Sequence, residues 1–165
     1  MSILSDFRLI KHFVFDIDGV MTDGRLIIGA DGMPIRYMNI RDGYALQLAM
    51  KCGYKVTILS GATGDGLRVR FARLGITDVH LGVEDKFTLF ESWIKNGSIE
   101  LAHTLYMGDD MPDLSVMREV FLPTCPQDAC DEILATAKYI SPKGGGYGCV
   151  RDVIEKVLKL NGHWR

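Results

Sequence analysis

No uninterrupted apolar stretch in this sequence approaches the ~18 residues that a membrane-spanning helix needs. The opening segment, Met1-Ser2-Ile3-Leu4-Ser5-Asp6, has no basic region leading into an apolar run, so a signal peptide is not expected. These two absences point to a cytoplasmic protein without a membrane partner. Cysteine is sparse: Cys52, Cys125, Cys130 and Cys149 form no Cys-x-x-Cys pair, and the reading is free thiols in a reducing compartment. His12, His80, His103 and His163 are scattered and make no metal set with them. There is no basic excess, since the formal net charge is −2, which argues against a nucleic-acid partner. A Gly-x-Gly-x-x-Gly turn after the first apolar run is also missing, which argues against a dinucleotide binder.

What is present suits one globular domain over residues 1–165, with 47% apolar and 24% charged residues. Short apolar runs predict buried strands at His12–Phe15, Lys55–Leu59, Val79–Leu81, Thr104–Met107 and Val120–Leu122, the last cut off by Pro123. Between them, amphipathic patterns predict helices around Ala45–Met50, Leu67–Leu74, Phe87–Ile94 and Val150–Leu158, closed by Gly53, Gly75, Asn96-Gly97 and Asn161-Gly162. Such alternation predicts an α/β fold: a Rossmann-like three-layer α/β/α arrangement around a parallel sheet. Residues 25–40 break the alternation. Their apolar stretches flank Asp31-Gly32 and predict a β-hairpin protruding directly after the first strand.

The chemistry concentrates where strands end, which is where ligands bind in open parallel sheets. After the first strand come Asp16 and Asp18, two residues apart. One carboxylate can attack phosphorus while the other protonates the leaving oxygen and then activates water. Taken alone, the pair would also suit a solvated acidic turn. Ser60 ends the second strand, where it could bind a phosphoryl oxygen or cap the next helix. Lys86 stands at a helix start, against the helix dipole, as expected if it balances a carboxylate or a phosphate rather than lying solvated on the surface. Asp109, Asp110 and Asp113 follow another strand and offer the hard oxygens that Mg2+ favours, or else an acidic first helical turn.

Asp16-x-Asp18, Ser60, Lys86 and Gly108-Asp109-Asp110-x-x-Asp113 together resemble the four motifs of the haloacid dehalogenase superfamily. With the hairpin, Arg41-Asp42-Gly43 and the late Gly144-Gly145-Gly146-x-Gly148-x-Val150-Arg151, the whole chain resembles the capless phosphatases acting on 3-deoxy-manno-octulosonate 8-phosphate, a precursor of the lipopolysaccharide inner core. The resemblance implies Asp16 as nucleophile and Asp18 as general acid and base. It implies Mg2+ held by Asp16, the backbone carbonyl of Asp18, and Asp109. Ser60 and Lys86 would bind the phosphoryl group, and Asp110 and Asp113 would position the metal's waters and Lys86. It further implies no cap domain, a homotetramer with the hairpins at its centre, Arg70 and Arg73 reaching a neighbour's substrate, and the Gly144–Arg151 tail folding over the site mouth. Arg151 is the candidate for a substrate carboxylate, which its fork-shaped guanidinium matches. Ala62 stands where many relatives carry Arg or Glu. Similar proteins act on nine-carbon keto-deoxy acid 9-phosphates, and a non-catalytic oligomerisation or regulatory domain is the reading from another class.

Overall fold

A computed structural model describes residues 3–164; Met1, Ser2 and Arg165, and the expectations that reach them, lie outside the described residues. The order is α1 (Ile3–Leu9), β1 (His12–Phe15), β2 (Ile27–Ile28), β3 (Pro34–Ile35), α2 (Ile40–Lys51), β4 (Lys55–Leu59), α3 (Asp65–Arg73), β5 (Asp78–His80), α4 (Lys86–Lys95), β6 (Thr104–Met107), α5 (Leu114–Glu119), β7 (Leu122–Cys125), α6 (Asp131–Thr136), β8 (Tyr139–Ile140) and α7 (Cys149–Leu160). Six strands form a parallel sheet in the order β5-β4-β1-β6-β7-β8. β1 therefore lies inside the sheet, hydrogen-bonded on both sides, and all four of its residues are buried.

Side-chain alternation along the strands divides the core in two. Phe13, Phe15, Val56, Ile58, Leu105 and Met107 pack with Leu46 of α2, Phe71 of α3 and Val153, Ile154 and Val157 of α7. Val14, Leu59 and Tyr106 point the other way, toward Phe90 of α4, Val116 of α5 and Ile133 of α6. The result is the three-layer α/β/α arrangement that the alternation predicts.

Two strand boundaries differ from expectation. β5 starts one residue earlier, at Asp78. Pro123 does not end its strand but lies within β7, opposite Tyr106. Its carbonyl accepts from the Lys138 amide at 2.9 Å, so its backbone edge faces the β8 side. There β8 pairs only from Tyr139 onward, opposite Thr124. The missing amide hydrogen of Pro123 therefore removes no rung from the ladder.

The hairpin is present, with β2 and β3 antiparallel through Ile27↔Ile35 and Ile28↔Pro34. Its exterior is apolar and uncovered: Leu26, Ile27, Ile28, Met33, Ile35 and Tyr37 are all exposed. Among the described residues no helix is long and apolar enough to cross a membrane.

Candidate active site

The loop leaving β1 turns over itself, as the amides of Val20, Met21 and Thr22 all converge on the Ile17 carbonyl. The Thr22 hydroxyl, fully buried, accepts from the amides of Gly19 and Gly24 at 3.2 Å each and pins the loop. Gly19 has φ +88°, and a Cβ there would lie 1.9 Å from Asp109 Oδ2, so only glycine lets the β1 and β6 loops meet. The glycine-rich tail packs on the same loop: a Cβ on Gly145 would lie 2.0 Å from the Gly19 carbonyl oxygen, and the Gly146 amide donates to Val20 at 3.0 Å. The tail thus buttresses the β1 loop, and its glycines do not line the carboxylate cleft.

That cleft, of about 430 Å³, is lined by Asp16, Asp18, Ser60, Ala62, Lys86, Asp109, Asp110 and Asp113, among others. The four strand ends marked in the sequence therefore converge there. Lys86, at the first turn of α4, is 5% exposed and reaches two carboxylates, with Nζ 2.6 Å from Asp113 Oδ1 and 3.0 Å from Asp16 Oδ1. The approach to Asp16 is an ion pair outside hydrogen-bond geometry, and Oδ1 of Asp16 has no hydrogen-bond partner. The α4 cap is supplied by Asp85, which accepts from the Thr88 amide at 3.0 Å. Ser60 caps nothing; α3 begins after Gly64, and the Ser60 hydroxyl accepts from the Ala62 amide at 3.2 Å beside Asp16.

Carboxylate oxygens of Asp16, Asp109 and Asp113 lie within 4.8 Å of one another. Their hydrogen bonding separates them. Asp113 is saturated: Oδ1 accepts from Lys86 and from the Tyr106 hydroxyl at 2.6 Å each, and Oδ2 accepts from the amides of Asp109 and Asp110 at 3.0 and 3.4 Å. Asp16 Oδ1 and Asp109 Oδ1 are buried without a hydrogen-bond partner. Buried carboxylate oxygens without hydrogen-bond partners are costly when ionised and well suited to a hard cation. Asp113 serves as a brace, and Asp16 with Asp109 fits Mg2+. Asp110, at the cleft edge, accepts from the Met111 amide at 2.8 Å and caps a short 3-10 turn over Met111–Asp113.

The electrostatics follow from this crowding. Burial, then the Asp113 charge, raises the Asp16 carboxyl to about 6, and the opposing pull of Lys86 does not cancel them. Burial, then Asp16, raises Asp109 to about 8. Burial works against the Lys86 ammonium, but Asp16 and Asp113 outweigh it and hold its pKa above the ordinary value. The metal-free site thus holds protons that a cation must displace. Mg2+ affinity should rise roughly tenfold per pH unit between about 6 and 8, more steeply below 6 and little above 8. In the metal-free chain these raised carboxyls contribute stability that is present near pH 4 and lost as pH climbs through 8. Calorimetric titration with Mg2+ from pH 5.5 to 8.5 tests this; an affinity independent of pH would contradict the arrangement.

Other residues fall outside the cleft. Arg151 donates its amide to Asp42 at 2.8 Å, and its Nε lies 3.0 Å from Glu155 with the guanidinium over the Trp164 ring. It lines a different cavity, of about 440 Å³, with Arg41, Lys143 and Tyr147. Arg70 borders a third, of about 330 Å³, beside Arg36 and Thr63, while Arg73 is exposed on α3. Of three further participants, Tyr106 and Arg36 lie outside every sequence motif, and Asp42 enters only within Arg41-Asp42-Gly43. Tyr106 is fully buried and holds Asp113. Asp42 is buried and joins the first turns of α2 and α7. Arg36 pairs with Asp18 through both carboxylate oxygens, at 2.6 and 3.0 Å. A tyrosine in a four-residue buried strand and an arginine amid apolar hairpin residues were the available signals, since both must find partners.

No protein-family model matches the chain. The 3-deoxy-D-manno-octulosonate 8-phosphate phosphatase KdsC of Escherichia coli K12 is 32% identical over 153 residues, which are 93% of this chain and 81% of the relative. The crystal structure of 3-deoxy-D-manno-octulosonate 8-phosphate phosphatase from Moraxella catarrhalis, in complex with magnesium ion, phosphate ion and KDO, superposes with TM-score 0.89 and 34% identity, covering 96% of this chain and 91% of that one. The cobalt-bound deoxy-D-mannose-octulosonate 8-phosphate phosphatase of Haemophilus influenzae gives TM-score 0.88 and 30% identity, over 95% and 92% of the two chains. By this similarity over nearly its full length, the chain belongs to the 3-deoxy-D-manno-octulosonate 8-phosphate phosphatases of the haloacid dehalogenase superfamily.

Proposed function

We propose that this chain is a Mg2+-dependent phosphatase that hydrolyses 3-deoxy-D-manno-octulosonate 8-phosphate to the free sugar acid and phosphate, in lipopolysaccharide core biosynthesis. The observation that carries the reading is the pair of buried, unsatisfied oxygens, Asp16 Oδ1 and Asp109 Oδ1, in one cleft with Lys86 and Asp18. In this reading a carboxylate oxygen of Asp16 attacks phosphorus, the ester P–O bond breaks, and Asp18 gives its proton to the leaving sugar oxygen. Asp18, now a carboxylate, takes a proton from water as that water attacks the aspartyl phosphate, releasing phosphate and restoring Asp16. Lys86 and Ser60 hold the phosphoryl oxygens. Mg2+, held by Asp16, Asp109 and the Asp18 carbonyl, supplies positive charge against a dianionic ester.

We further infer a cytoplasmic protein, one domain, and a homotetramer. The uncovered apolar hairpin supports assembly, because exposed contiguous apolar surface marks an interaction site. Ala62, buried in the cleft lining, offers no charge to a substrate at its own position.

The test is phosphate release, with Mg2+ or with EDTA, from the octulosonate 8-phosphate, from nine-carbon keto-deoxy acid 9-phosphates and from hexose phosphates. The expected result is Mg2+-dependent turnover with the highest kcat/KM on the octulosonate ester, lost in EDTA. Preference for a nine-carbon ester would move the substrate, and no turnover of any ester would favour a non-catalytic domain.

A further inference from the structure

We propose that Arg36, carried on the hairpin, is a positioning residue that sets the side chain of Asp18 for proton transfer. This rests on the phosphatase reading above. The Arg36 guanidinium meets Asp18 as a fork, Nε to Oδ1 at 2.6 Å and Nη2 to Oδ2 at 3.0 Å. Two parallel bonds fix the plane and direction of a carboxylate, which a single bond or a lysine does not. Asp18 has need of it: its side chain is 36% exposed, on a loop where Asp16 is buried. The Arg36 side chain, by contrast, is 8% exposed although its hairpin neighbours Ile35 and Tyr37 are turned out to solvent. Its remaining nitrogen, Nη1, donates to the Thr63 carbonyl at 3.3 Å. One side chain therefore joins the hairpin, the Asp16–Asp18 loop and the segment that follows Ser60.

The chemistry gives this contact a direction. Asp18 ends the first step as a carboxylate and begins the second as one, and the fork keeps it in one orientation at the handover. Arg36 does not line the cleft that holds Asp16 and Asp109, so it acts on the reaction through Asp18. The rival role, holding a substrate carboxylate, predicts a different pattern of loss.

Leaving-group chemistry separates the two. A sugar alkoxide leaves only if protonated, whereas p-nitrophenolate leaves without help, and kcat/KM reports the steps up to aspartyl-phosphate formation. In Arg36→Met, kcat/KM for the octulosonate 8-phosphate should fall about 100-fold, within the range general acid catalysis supplies. For p-nitrophenyl phosphate it should change less than about threefold, because that ester bypasses the acid. The methyl ester of the sugar acid should show the same loss as the free acid, and Arg36→Lys should recover part of it. Arg36→Gln supplies the same comparison should the Met variant not fold, and melting curves monitor both. Equal loss on the sugar and aryl esters would make Arg36 a structural residue only. Loss confined to the free acid and expressed in KM would make it a carboxylate binder. Either result overturns the proposal. Wild-type protein inert on every ester would instead remove the phosphatase reading on which it rests.

Discussion

Asp16→Asn is expected to abolish turnover, by on the order of 10⁴-fold or more, while the folded state survives. The amide keeps the shape of the carboxylate but cannot form the aspartyl phosphate. Stability should hold, or rise without metal. The wild-type carboxyl is 6% exposed beside Asp113; burial, then that neighbouring charge, raises it to about 6 and costs free energy at neutral pH. Removing that charge relieves its repulsion with Asp109. The measurements are phosphate release and thermal melting in EDTA at pH 7.5, with wild type alongside. A variant that kept a tenth of the activity would sink the nucleophile assignment. One that melted far below wild type would show that the carboxylate is structurally required instead.

Lys86→Met is expected to destabilise the metal-free fold strongly. Its ammonium stands between Asp16 and Asp113, 3.0 and 2.6 Å from their oxygens. Deleting it leaves two buried carboxylates uncompensated, a loss of about 3–5 kcal/mol, or roughly 10 °C in Tm for a domain of this size. The loss should depend on pH in a stated direction. Asp16 escapes the repulsion by holding a proton, so its pKa, already above 3.8, moves further up. Stability conferred by a raised carboxyl is present at low pH and lost as pH rises. The variant should therefore melt near wild type at pH 4 and fall progressively behind toward pH 8. Its kcat/KM should drop about 10²–10³-fold, as when a preorganised charge is removed from a developing one. Melting temperatures in EDTA across pH 4–8 check the first point; a deficit that stayed constant with pH would count against the buried charge triad.

The sequence was most readable at the centre of the sheet. β1, β4 and β6 match the predicted His12–Phe15, Lys55–Leu59 and Thr104–Met107, because strands covered on both faces are written as unbroken apolar runs. Toward the edges the signal fades. β5 is only partly buried, β7 contains a proline, and β8 has two residues. Neither α5 nor α6, of six residues each, completes the two turns needed to show a helical period. At the cleft, the residues at strand ends were visible because a parallel sheet sends its carboxyl ends to one rim. What the sequence hides is side-chain competition. Arg151 looks free on paper, but Glu155 one turn away and Trp164 near the end of the chain engage it. Arg36 looks like an ordinary hairpin charge until the hairpin folds back on Asp18, eighteen residues earlier.

The place of β1 inside the sheet has a consequence for how activity is born. β1 comes near the start of the chain, yet its partners β4 and β6 begin at Lys55 and Thr104. The carboxylate of Asp16 meets Lys86, Asp109 and Asp113 only when those later segments have returned to it. Such distant pairings close slowly, since loop entropy is lost before contacts repay it. During synthesis Asp16 emerges before Lys86, Asp109 and Asp113 and waits for the segments that carry them. A nascent chain that stops before Asp113 therefore lacks part of the centre, whatever the state of β1.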